Sequence, residues 1–164
     1  MSTSDLYAVY RTKTKHIAGF PNGHGTAPVI WGYLCVKFLN TESHSWLLNY
    51  GAANQPLWDL VKDPKLSKEL RLVHAMTFNN AVCLISRLGE LADACDKVYA
   101  LTHEFQPERV NHWQAISLAL RDIDVKKYSR SQGVGLSCTS VSDPWLGWKG
   151  KNKDKLWDIF AVLK

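Results

Sequence analysis

The chain has 164 residues, 46% of them hydrophobic and 21% charged, with a formal net charge of +5 and a pI near 9.0. That profile fits one globular domain over residues 1–164 with a core of its own, and it excludes the acidic disordered and low-complexity classes. No apolar run approaches the roughly 18–20 residues needed to span a bilayer. The opening MSTSDLYAVYRTK lacks the charged-then-apolar layout of a secretory leader, so the expected setting is the cytosol, with no membrane partner.

The first predicted element is a strand in DLYAVYRTK, where Leu6, Ala8 and Tyr10 alternate with Tyr7, Val9 and Arg11. KHIAGF is expected to return as its hairpin partner across Thr12–Thr14. PNGHG, ending at Gly25, reads as a turn. TAPVIWGYLCVKFLN is ambiguous between strand and helix. Thr26 as N-cap, Pro28 in the first turn and the shared face of Ile30, Trp31, Leu34 and Phe38 favour a buried helix over residues 26–39.

Further along, NQPLWDLVKD predicts a short helix capped by Asn54 and stopped by Pro64. SKELRLVHAMTF predicts another from Ser67, with Glu69 in its first turn. The clearest helical pattern is SRLGELADACDKVYALTHEF, with Leu88, Leu91, Ala92, Cys95, Val98 and Tyr99 on one face. A further amphipathic helix is expected from near Pro107 through ERVNHWQAISLALRDI. GVGLSCTSVS reads as a strand, and KLWDIFAVLK as a closing strand or short helix.

The sum is an α+β single domain: a small antiparallel sheet from N- and C-terminal strands, packed against four to five central helices. Charge follows the same division. Residues 1–20 carry three Lys/Arg against one acid and residues 121–164 nine against five, while the stretch between carries eight against nine. Terminal strands lying side by side would gather both basic ends onto one surface, suited to an acidic protein or a nucleic acid.

Signals for chemistry are sparse. The six histidines form no close pair or metal-binding spacing, and no phosphate-cradling glycine motif is present; neither a metal nor a cofactor is expected. His24–Thr26 supplies one H-x-T, half of a paired phosphoesterase motif whose second copy is missing. Asn22 and His24 could assist anion binding at the first turn of the following helix, or could simply belong to a tight turn. Cys35, Cys83, Cys95 and Cys138 are expected to be reduced, and a strand cysteine such as Cys138 more often packs than reacts. His74 is expected to be a hydrogen-bonded core histidine. The carboxylate pairs Asp93/Asp96 and Asp122/Asp124 are read as solvated helix surface beside Lys or Arg.

The remaining signal is WLGWKGKNKDK. Trp145 and Trp148 sit among Pro144, Gly147 and Gly150, and Lys149, Lys151, Lys153 and Lys155 follow at alternate positions, on one side if the segment is extended. Indole rings beside such a row suit stacked bases and phosphates, or a protein hot spot. The expected function is therefore a small basic binding protein, an inhibitor-type accessory factor of the sort phages and mobile elements encode. It would occupy a protein or nucleic-acid partner through Trp145, Trp148 and the lysines. The alternative is a small enzyme acting on a phosphate-containing substrate, with His24 as acid or base and Cys138 as its other candidate group. A third is a homo-oligomer that buries its excess tryptophans between copies.

Overall fold

The computed structural model describes residues 3–48, 54–78, 80–138 and 155–164. Strand β1, Thr3–Val9, lies at the centre of a three-stranded antiparallel sheet ordered β2-β1-β4, with β2 at Thr14–Pro21 and β4 at Gly133–Ser137. The hairpin forms where the alternation predicts it. The β1–β2 register shifts between Leu6 and Tyr7, a bulge that re-aims the side chains beyond it. Leu6 and Ala8 face the main core, fully buried, together with Val134 and Leu136 across the ladder. Val9, on the other face, packs with Val82 and Leu156.

Residues 27–38 resolve as a helix, α1 (Ala27–Phe38), with Pro28 in its first turn and Ile30 and Leu34 buried. A short α2 (Ser45–Leu48) and α3 (Gln55–Asp59) follow. Asn54 occupies the N-cap position of α3, but its side chain donates instead to the carbonyl of Trp46, at 2.9 Å. At α4 (Lys68–Met76) the expected cap forms: Ser67 Oγ accepts from the Leu70 amide, an interaction of about 1 kcal/mol. The long α5 (Leu88–Phe105) buries Leu88, Leu91, Ala92, Cys95 and Val98, as its spacing requires.

The next helix begins later than its pattern suggests. α6 spans Trp113–Arg121, and the residues from Pro107 to His112 take turn and irregular structure. The reason is competition for backbone groups: the His112 amide bonds the carbonyl of Gly25, and the Trp113 amide bonds Asn111 Oδ1. Arg121 then ties α6 to α5 by bridging Asp93 at 2.6 Å and Asp96 at 2.9 Å. The carboxylate pair expected on that helix surface thus has its basic partner.

The closing segment is both strand and helix. Strand β5 (Trp157–Asp158) pairs in parallel with β3 (Ala81–Val82) in a separate two-stranded sheet, and a 3-10 helix at Ile159–Leu163 ends the chain. The C-terminal strand that joins β1 is therefore β4. The architecture is α+β, a small antiparallel sheet with helices packed against it. Among the described residues, no helix is long and apolar enough to cross a membrane.

Candidate polyanion-binding surface

The β1–β4 register decides where charge collects. Val9 pairs with Gly133, and the Gln132 amide donates to the Val9 carbonyl at 2.7 Å. The segment leading into β4 therefore runs beside the β1–β2 hairpin tip. The tip exposes Arg11, Lys13 and Lys15, and the approaching segment exposes Lys126, Lys127 and Arg130. Among the described residues none of these six pairs with a carboxylate. Asp124, the nearest acid in sequence, uses Oδ1 to accept from the Lys126 and Lys127 amides.

Two tyrosines shape this rim. The Lys13 and Lys15 ammonium groups lie 5.7 and 5.4 Å from the Tyr10 ring centroid, and Lys127 lies 5.4 Å from that of Tyr128. Ring faces attract cations without neutralising them, so the charge stays available to a third party. Lys155 belongs to the same end of the sheet: it is exposed, and its neighbour Leu156 packs on Val9. Of the residues picked out in WLGWKGKNKDK, Trp145, Trp148, Lys149, Lys151 and Lys153 lie outside the described residues. The aromatic component described at this rim is tyrosine.

Asn22 and His24 fall on a different surface. Asn22 adopts a left-handed conformation (φ 65°) before a single 3-10 turn over Gly23–Gly25, and both Asn22 and His24 are exposed. The loop is clasped from outside. His112 Nε2 donates to the carbonyls of Pro21 (2.7 Å) and Asn22 (3.1 Å), Arg109 reaches the His24 carbonyl at 3.4 Å, and Trp113 Nε1 donates to Thr26. Gly25 is required there, since a Cβ would stand 2.6 Å from the His112 ring. The first turn of α1 is buried beneath this clasp, from Thr26 through Ile30.

Cys138 lies at the end of β4, with its carbonyl accepting from Ser4 Oγ and its sulfur against the Thr77 carbonyl. The residue is partly exposed, but the sulfur is enclosed, and burial pushes the thiol pKa up to about 12. Such a thiol is held protonated and is a poor nucleophile. All four cysteines are free. Among the described residues no group of three His, Cys, Asp or Glu side chains is placed to hold a metal ion.

One pairing has no counterpart in the sequence reading. His16 Nε2 donates to Asp5 Oδ1 at 2.8 Å, while Thr3 Oγ1 donates to Asp5 Oδ2, also at 2.8 Å. The Asp5 side chain is only 12% exposed and that of His16 53%. Tyr7 meets the imidazole edge-on, and Ser137 lies opposite Asp5 across the ladder. The alternation in DLYAVYRTK places Asp5 on the outer face, but only the bulge and hairpin register bring His16 to it. Compared with protein-family models, curated proteins and solved structures, the chain matches none of them.

Proposed function

We propose that this chain is a binding protein that docks a nucleic acid through the basic rim at the hairpin end of its sheet. One observation carries the reading: Arg11, Lys13 and Lys15 are exposed at the hairpin tip, Lys126, Lys127 and Arg130 are exposed on the segment that the Gln132–Val9 bond brings alongside that hairpin, and all six lack carboxylate partners among the described residues. Unpaired cations beside aromatic rings suit a phosphate backbone, where each contact releases a condensed counterion.

The test is binding of a labelled oligonucleotide across a salt series. Affinity should fall steeply, with a log–log slope of roughly −0.9 per phosphate neutralised on duplex DNA. An Arg11→Glu/Lys13→Glu/Lys15→Glu variant that binds as tightly as the parent would overturn the reading. A partner captured from nuclease-treated lysate and lost in the same variant would move it to an acidic protein. The catalytic alternative, acid–base chemistry on a phosphate-containing substrate, is better served by His16 than by His24, because His16 alone among the described histidines has a buried carboxylate to orient it. Hydrolysis of a phosphoester that survives His16→Ala would eliminate it.

A further inference from the structure

A cavity of about 430 Å³ opens between α1, α3 and the end of α4, lined by Trp31, Trp58, Thr77 and Phe78. Its size falls within the roughly 300–1,000 Å³ of small-molecule sites. The walls stand near right angles: Trp58 meets Trp31 at 78° and Phe78 at 87°, with ring centroids 5.4 and 5.8 Å apart. They are braced from behind. Trp46 packs on Trp31, while His74 and Trp157 pack on Phe78.

The Thr77 hydroxyl donates to the His74 carbonyl at 2.6 Å and accepts from Trp31 Nε1 at 3.1 Å. Recognition therefore falls to the ring faces. Among the described residues no charged side chain lines the cavity. Aromatic faces carry partial negative charge, which a cation complements, and tryptophan does so most strongly. A flat ring laid on Trp58 would offer only its edge to the other two walls. A rounded, methylated cation meets faces in different planes together.

We propose that the cavity between Trp31, Trp58 and Phe78 is a binding site for a quaternary ammonium group. The shared chemistry fits free choline-type molecules and trimethylated lysine in a peptide. Calorimetric titration of the whole chain with choline and with a trimethyl-lysine peptide separates these sources, and saturable binding of either supports the site. The neutral carbon isostere of choline, with a tert-butyl group in place of trimethylammonium, should bind about tenfold more weakly. Trp58→Leu should abolish choline binding while Trp58→Phe retains part of it, with folding of both followed by circular dichroism. Equal binding of choline and its isostere, tighter binding of a flat base such as adenine, or saturation by neither cation would overturn the proposal.

Discussion

Gln132 donates its backbone amide to the carbonyl of Val9 at 2.7 Å, and this bond lays the approach to β4 beside the tip of the first hairpin. Backbone pairing thus brings the two basic stretches alongside each other. If they act as one, charge reversal at either should be felt by the same ligand. Lys13→Glu and Lys127→Glu should each weaken oligonucleotide binding and each lower the salt slope by roughly 1. Lys65→Glu, exposed in the connection before α4 and outside both basic stretches, should do neither. An anisotropy titration at several salt concentrations reads all three.

The Asp5–His16 pair depends on a missing side chain. A Cβ at Gly19 would stand 2.9 Å from Asp5 Oδ1 and 3.5 Å from His16 Nε2. Gly19 is opposite Asp5 in the hairpin register, so relief requires the carboxylate to move. Gly19→Ala should therefore lengthen or break the 2.8 Å bond and destabilise the fold by about 1–3 kcal/mol, the usual range for overpacking. A lowered urea midpoint, with altered exchange of the His16 ring N–H, would record it. Asp5→Ala should cost less through the pair itself, because His16 is half exposed and such pairs contribute at most about 1 kcal/mol.

What the sequence made legible follows the range of the signal. α5 repeats its apolar face over eighteen residues, and the buried side is the expected one. The hairpin and the helix at Ala27–Phe38 are also local, set by alternation, a turn and a proline. The misses are long-range. Strands β3 and β5 are two residues each and have no period to read. The start of α6 is displaced because Gly25 captures the His112 amide. Side-by-side terminal strands were legible as a way to bring the two basic stretches together, but the Val9–Gly133 register that brings the second stretch to the hairpin was not. The Trp31–Trp58–Phe78 corner comes from three separate segments, each of which reads as ordinary core.

Thiol chemistry should be silent until the chain unfolds. Cys83 and Cys138 are pushed up to about 12 by burial, and burial raises Cys35 and Cys95 as well. At pH 8 the native thiolate fraction is small and the sulfurs are enclosed, so alkylation should be limited by opening of the fold. Mass spectrometry after iodoacetamide should find unmodified native protein and four modified cysteines in denaturant. Rapid native labelling of Cys138 would contradict its enclosure against Thr77.

His74 makes the fold acid-sensitive, and the sign follows from its surroundings. Its ring is fully buried, Nε2 donates to the Leu57 carbonyl at 2.8 Å, and Nδ1 has no partner among the described residues. Burial dominates the opposing effect of the bond to Leu57 and lowers the pKa from 6.5 to about 4. The unfolded chain then takes up a proton near pH 6.5 that the folded chain refuses until about pH 4. The contribution is fully present above pH 6.5 and is lost as pH falls through that window, by roughly 3 kcal/mol at 1.36 kcal/mol per pKa unit. Urea midpoints measured across the window should fall for the parent chain. His74→Gln, which does not titrate and can still donate to Leu57, should start less stable at neutral pH but fall less. Parallel curves for the two proteins would mean that some other group carries the acid sensitivity.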